Sequence, residues 1–234
     1  MPDPDQAKPD PQTAAVLSEL DECLLRVVII SGRDTNFLVS RLPLASALFI
    51  GNHGLEERHD GASRVVAEAQ PYLERLGRAA EAVAALPEGR APGITIERKR
   101  ATISVHFRQT ADPSASGAAL EPALQAIARQ EQLQLQPGRL VWELRPPIAI
   151  DKGAVLRRLA ADMQPAAIVY MGDDRTDANA FSALKRMTEV RTVAVGVRSS
   201  EVPEDVFVDC DLKVDGVPGV RQLLTQLLDV CANT

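Results

Sequence analysis

The chain is short of cysteine, of long apolar runs and of clustered basic residues, and each shortage removes a class of protein. Its three cysteines, Cys23, Cys210 and Cys231, are odd in number and widely scattered, which excludes a disulfide framework or a zinc site and leaves reduced thiols. No apolar stretch reaches the ~18 residues that a membrane span requires. The opening MPDPDQAKPD is too acidic and proline-rich for a signal peptide. Lys and Arg total 26 against 32 Asp and Glu, a net charge of −6, and no Lys/Arg run concentrates the positive field that nucleic acid or an anionic membrane needs. The expectation is a cytoplasmic, monomeric protein with a small-molecule partner, no nucleic acid and no membrane. What remains is an ordinary globular composition, 45% hydrophobic and 25% charged over 234 residues. That length allows one large domain or two small ones and buries a core without staples.

Three β-branched runs, Arg26–Ile30, Ala167–Met171 and Arg191–Val197, read as parallel strands buried on both faces. Helical stripes alternate with them: Val155, Leu156, Leu159 and Met163 before the second, Phe181, Leu184 and Met187 before the third, and Val220, Leu223, Leu224, Leu227 and Leu228 after it. The pattern predicts an α/β fold with a doubly wound, mostly parallel sheet. The middle differs. A helix from about Pro71 to Leu86 leads into two alternating segments, Ile94–Lys99 and Thr102–Arg108, at hairpin spacing, then a helix from Leu120 to Leu133 and an alternating strand Arg139–Arg145. This is an antiparallel α+β insert, predicted over 66–147, with the core formed by 1–65 and 148–234. Ala111–Gly117 reads as an exposed turn within it. Asp10, Pro11 and the stripe Ala14, Leu17, Leu20 describe a capped helix feeding the strand at Arg26, like the second half of a βαβ unit whose first strand is absent.

Chemistry-bearing residues fall at the ends of these strands, where open α/β sheets bind ligands. Gly172-Asp-Asp-Arg-Thr-Asp177 places Asp173, Asp174 and Asp177 at a strand-to-helix turn. Three clustered carboxylates are either offset by a cation, Mg²⁺ in preference to zinc given hard oxygens and room for water, or cap the helix that follows. Ser31-Gly-Arg33 is either an anion site of hydroxyl, close backbone and helix N–H groups or a plain turn. Lys152 opens a helix, where it meets a phosphate or stands solvated. Asn52-His53-Gly54, the pair Glu97 and Lys99 on one strand face, and Glu143 with Arg145 on another could hold sugar hydroxyls or form surface ion pairs. Trp142 alternates to the face opposite Glu143 and is assigned to the core.

Taken in order, Ser31-Gly-Arg33, Asn52-His-Gly54 with Glu56, Glu97-Arg-Lys99 with His106-Phe-Arg108, Glu143-Leu-Arg-Pro146, Asp151-Lys-Gly153 and Gly172-Asp-Asp-Arg-Thr-Asp177 with Phe181 resemble the trehalose-6-phosphate phosphatases of the haloacid dehalogenase superfamily. The resemblance covers essentially the whole chain and rests most on the joint ExK, ExRP and GDDxTD motifs. It implies a Mg²⁺-dependent phosphatase with a haloacid dehalogenase-like core and an inserted cap, acting on trehalose 6-phosphate. By resemblance, Ser31 holds the transferring phosphoryl group and Lys152 neutralises it. Asp173 ligates Mg²⁺, and Asp174 and Asp177 support it. Glu97, Lys99 and Glu143 grip the glucose rings, with Arg33, Asn52, His53 and Gly54 lining the cleft.

One part of the pattern is not matched. Family members begin with a strand ending in DxDGT, whose first Asp is the nucleophile and whose second is the general acid/base. Nothing before Arg26 resembles it, and Asp3, Asp5 and Asp10 follow no apolar run. The expectation is a truncated phosphatase chain, inactive as it stands. Two readings compete with it: a sugar-phosphate-binding protein that lost its nucleophile, and another sugar phosphatase of the same superfamily.

Overall fold

A computed structural model describes residues 8–200 and 202–232; the Asp- and Pro-rich start, residues 1–7, lies outside them. Met1–Gly54, Arg58–Ala62 and Ile150–Thr234 form one compact unit, and Leu55–Glu57 with Ser63–Ala149 form a second. In the first, helix α1 (Pro11–Cys23) starts where expected, with Pro11 in its first turn and the Asp10 carboxylate accepting the Thr13 N–H at 2.9 Å. Strand β1 (Val28–Ile30), helix α2 (Thr35–Arg41) and strand β2 (Leu48–Gly51) complete a βαβ unit with β1 and β2 parallel. Asp34 caps α2 through the Phe37 N–H at 2.9 Å. The short strands β3 (Glu56–His59) and β4 (Ala62–Val65) follow. They turn at Asp60-Gly61, whose φ angles of 49° and 76° are the left-handed pair that a two-residue hairpin requires.

The second unit reaches back to Leu55–Glu57 and Ser63, which sequence alone groups with the core. The reason is pairing: Glu56 meets Arg100 at 3.2 Å, Glu57 meets Arg64 at 2.7 Å, and the Val66 N–H donates to the Leu55 carbonyl at 3.0 Å. After a 3₁₀ segment, Ala67–Tyr72, come helix α3 (Leu73–Ala85), strands β5 (Thr95–Arg98) and β6 (Ile103–His106), helix α4 (Pro113–Gln130) and strands β7 (Gln134–Gly138) and β8 (Val141–Arg145). The strands make an antiparallel sheet in the order β5-β6-β8-β7. One face carries Ile96, Ile103, Val105, Leu135, Trp142 and Leu144, packed with Leu76, Ala79, Ala80 and Val83 of α3 and Leu120, Leu124 and Ile127 of α4. Trp142 is therefore core, its indole N–H donating to the Gly117 carbonyl at 2.9 Å.

One sequence expectation is corrected here, and one strand is added. Ala111–Gly117 is no exposed turn. Asp112 caps α4 by accepting the Ala115 N–H at 2.9 Å, Pro113 takes the first helical position, and buried Gly117 lies against Phe107, where a Cβ would come within 2.9 Å of the ring. Strand β7 was not among the expected elements; its Pro137 is tolerated because β7 is the sheet's edge.

The first unit resumes with helix α5 (Lys152–Met163), strand β9 (Ala167–Gly172), helix α6 (Asp177–Arg186), strands β10 (Arg191–Arg198) and β11 (Leu212–Asp215) and helix α7 (Gly216–Ala232). Strand β10 pairs in parallel with β9 and with β11. Among the described residues this ladder does not join the one holding β1 and β2. The consequence shows in burial. Ala194 and Val195 of β10 are 1% and 0% exposed, while β1 is only half-buried and Val169 of β9 is 41% exposed. Burial of β1 and β9 on both faces, expected from their composition, is thus not realised, since each has a ladder neighbour on one side alone. The two ladders still share cores. Met171 packs into a cluster with Val27, Phe49 and Leu224, and Ile30 into one with Phe181, Leu184 and Phe207. Helix α1 lies along α7, their starts tied by Arg221 to Asp10 at 3.2 Å. No helix among the described residues is long and apolar enough to cross a membrane.

Candidate active site

The carboxyl ends of β1, β2 and β9 hold eight of the twelve residues singled out from sequence, and a ninth, Lys152, stands in the first turn of α5. The loop after β1 is zipped to the loop after β2. The Ser31 N–H donates to the Ile50 carbonyl at 2.9 Å, the Asn52 N–H to the Arg33 carbonyl at 2.9 Å, and the His53 N–H to the Ser31 carbonyl at 3.1 Å. Ser31 Oγ accepts the Arg33 N–H at 3.2 Å, and the Arg33 guanidinium stacks 4.9 Å above the Phe37 ring. Asn52 and His53 both sit at positive φ, 49° and 57°, so the chain reverses there and lays the imidazole over Gly32. Any Cβ at Gly32 would fall 2.5 Å from that ring. Gly54 presses in turn on Ile150 and on Val155 of α5, where a Cβ would have 2.5 and 2.8 Å. The chain of contacts runs from Ser31 through His53 and Gly54 to the first turn of α5, where Lys152 stands.

Lys152 Nζ lies 2.5 Å from Asp177 Oδ1, with their side chains 11% and 2% exposed. The same Oδ1 accepts the Tyr170 hydroxyl, and Oδ2 accepts the Asp174 N–H at 2.8 Å. Both Asp177 oxygens are therefore engaged, and the side chain brackets the turn after β9 from inside. Gly172 makes this possible, because a Cβ there would overlap the Asp177 carboxyl group. Gly153 does the same for the close approach of α5 to α6, where a Cβ would lie 2.5 Å from the Asn179 carbonyl. Burial and the Asp177 charge push the Tyr170 phenol far above its ordinary range, so it is a hydrogen-bond donor at any working pH. Asp173 keeps a face to solvent. Desolvation by the surrounding protein, and then the Asp177 charge, raise its carboxyl above the usual range, against the pull of Lys152.

The remaining three predicted residues belong to the cap sheet. Opposite the apolar face described above, Glu97, Ser104, Glu143 and Gln136 stand in register across β5, β6, β8 and β7. Lys99 Nζ approaches Glu143 Oε1 at 3.5 Å, and the Ser104 hydroxyl approaches the same oxygen at 3.4 Å. His106 Nε2 lies 3.0 Å from Glu97 Oε2, and Arg145 donates to Gln136 at 3.2 Å. Sequence reasoning missed Tyr170, Ser104 and Gln136. The hydroxyl of Tyr170, set within the apolar run Ala167–Met171, was the one available signal.

Among the described residues no group of three His, Cys, Asp or Glu side chains is arranged to hold a metal ion. Asp173 is an exposed hard oxygen donor whose carboxylate is destabilised where it stands by desolvation. Such a donor fits Mg²⁺, which keeps most of its waters and binds through one or two carboxylates, and does not fit zinc.

An α/β core with an inserted cap, and acidic and lysine loops at its strand ends, defines a haloacid dehalogenase-like hydrolase fold. The chain superposes on a haloacid dehalogenase-like hydrolase from Bacteroides thetaiotaomicron with a TM-score of 0.60 at 15% identity, covering 93% of this chain and 92% of that one. Residues 1–211 match the trehalose-phosphatase family model, and the chain belongs to that family. It is 32% identical over 205 residues to the trehalose-phosphate phosphatase of Mycobacterium avium, covering 85% of this chain and 51% of that protein. A solved structure described as a trehalose-6-phosphate phosphatase related protein matches with a TM-score of 0.78 at 21% identity, over 100% of this chain and 93% of that one. The chain spans between about half and two thirds of the length of the first curated relatives it matches.

Proposed function

We propose that this chain provides the trehalose 6-phosphate site and the acid–lysine machinery of a Mg²⁺-dependent trehalose-6-phosphate phosphatase, which releases trehalose and phosphate. The observation that carries the reading is the Lys152–Asp177–Tyr170 network, packed against the Asp173 turn within a chain of this family. Lys152 neutralises phosphoryl charge, and Asp177 fixes its ammonium in place. Ser31, through the proton of its hydroxyl, donates to the phosphoryl oxygens, while Arg33, Asn52, His53 and Gly54 shape the loop beside it. Asp173 holds Mg²⁺, with Asp174 and Asp177 supporting the turn. The bound ion supplies charge neutralisation at the phosphoryl oxygens. Glu97, Lys99 and Glu143 on the polar face of the cap sheet take the sugar hydroxyls, carboxylates as acceptors and the ammonium as donor.

Ser31 is not the nucleophile in this reading. Its Oγ accepts the Arg33 N–H, and no His or carboxylate among the described residues is hydrogen-bonded to it. The test is calorimetric titration with trehalose 6-phosphate and glucose 6-phosphate in Mg²⁺. The disaccharide phosphate is expected to bind at least tenfold tighter, and Lys152→Met to weaken both ligands. Equal affinity for the two phosphates, or binding indifferent to Lys152→Met, overturns the reading.

A further inference from the structure

The polar face of the cap sheet contains one histidine, and the reading above leaves it without a task. His106 closes β6 two ladder positions beyond Ser104 and is the next residue on the same face. Its cross-strand neighbours are Thr95 on β5 and Val141 on β8. Neither carries charge, and the imidazole instead reaches diagonally to Glu97, with Nε2 3.0 Å from Oε2. On the same face Lys99 pairs with Glu143, and Arg145 donates to Gln136. A carboxylate can only accept, so the ring nitrogen facing it carries the proton. Glu97 Oε2 is thereby held, and the plane of its carboxylate is set.

Stability does not account for this pair. Both side chains are 37% exposed, and ion pairs at such exposure contribute little to folding. A hydroxyl-binding carboxylate, in contrast, gains affinity when its orientation is fixed before the ligand arrives. We infer that His106 is a positioning residue that orients the Glu97 carboxylate for sugar hydroxyls and so sets the affinity for the disaccharide. The inference rests on the proposed assignment of Glu97 to the sugar.

The full chain would be titrated calorimetrically with trehalose 6-phosphate and, separately, with inorganic phosphate, as wild type and as His106→Leu, His106→Gln, Glu97→Gln and the double variant His106→Leu/Glu97→Gln. Thermal unfolding would be recorded for each. His106→Leu is expected to bind the sugar phosphate about tenfold more weakly, with phosphate affinity and unfolding midpoint unchanged. His106→Gln, whose amide can still donate to Glu97, should recover most of the loss. In the Glu97→Gln background His106→Leu should have no further effect. A wild type that binds while His106→Leu binds equally well overturns the inference alone, as does full additivity in the double variant. A wild type without preference for the sugar phosphate over phosphate overturns the functional reading and this inference with it.

Discussion

Replacing Asp177 with alanine tests the core of the site most directly. Asp177 is 1% exposed and accepts from three donors, the Lys152 ammonium, the Tyr170 hydroxyl and the Asp174 N–H. Its removal strands the Lys152 charge, whose side chain is 11% exposed, and breaking a buried pair from one side costs about 3–5 kcal/mol. For a chain of this size that lowers the unfolding midpoint by roughly 6–20 °C. Lys152→Met should rescue part of the loss, since an apolar side chain of similar length needs no partner. The Tyr170 hydroxyl and Asp174 N–H stay orphaned in the double variant, at about 1 kcal/mol each. Lys152→Met/Asp177→Ala is therefore expected to sit about 2 kcal/mol below wild type, with a favourable Lys152–Asp177 coupling of about 2–3 kcal/mol. Urea unfolding of the four proteins, followed by far-ultraviolet circular dichroism, measures both quantities. A loss under 1 kcal/mol for Asp177→Ala, or a double variant equal to the sum of the singles, would refute the claim that Asp177 is the internal bracket of this site.

Gly172→Ala should displace the Asp177 carboxyl group that its Cβ would overlap and destabilise the core by about 1–3 kcal/mol; an unfolding midpoint equal to wild type would show that the turn has slack. Amides of β1, with one ladder partner, should exchange with deuterium faster than those of β10, which has two; equal protection would mean the two ladders join in solution. Burial pushes the Cys210 thiol up to about 11, so at pH 8 its thiolate is roughly a hundredfold scarcer than that of free cysteine. Iodoacetamide labelling read by mass spectrometry should accordingly be slow at pH 8 and rise about tenfold per unit up to pH 10, and labelling at the rate of free cysteine at pH 8 would contradict this. In the cap, Gly117→Ala would drive a Cβ to 2.9 Å from the Phe107 ring at a cost of about 1–3 kcal/mol, visible as an altered Trp142 emission midpoint in urea.

Much of this was legible in the chain itself because the signals are local. The alternation of β-branched runs with helical stripes specifies an α/β core, and period-two segments around Arg100-Ala101 specify the antiparallel insert, since side-chain direction follows from backbone period alone. Asp10, Asp34, Asp112 and Asp151 each cap a helix by accepting the N–H three residues on, a contact that needs nothing beyond four consecutive residues. Of these, Asp10 alone was read as a cap in sequence. Asp112-Pro113 carries the same Asp-Pro signature as Asp10-Pro11 but lies in a stretch rich in small residues, and its stripe becomes apolar only at Leu120.

Other features depended on distant pieces of chain meeting. Tyr170 lies seven residues before Asp177 and Lys152 twenty-five before it, and only the packing of α5 and α6 against β9 brings all three to one oxygen. Whether the three aspartates after Gly172 face a cation or cap a helix could not be told from composition. The fold divides the roles, turning Asp177 inward to three donors and leaving Asp173 outward, because a buried carboxylate persists only where donors converge on it. Likewise β1 and β9 have the composition of fully buried strands, yet their burial depends on what pairs beside them, and a ladder is a relation between segments far apart in sequence. Local pattern determined the elements, their caps and the faces they present; tertiary structure decided which carboxylates are spent on the scaffold and which remain for chemistry.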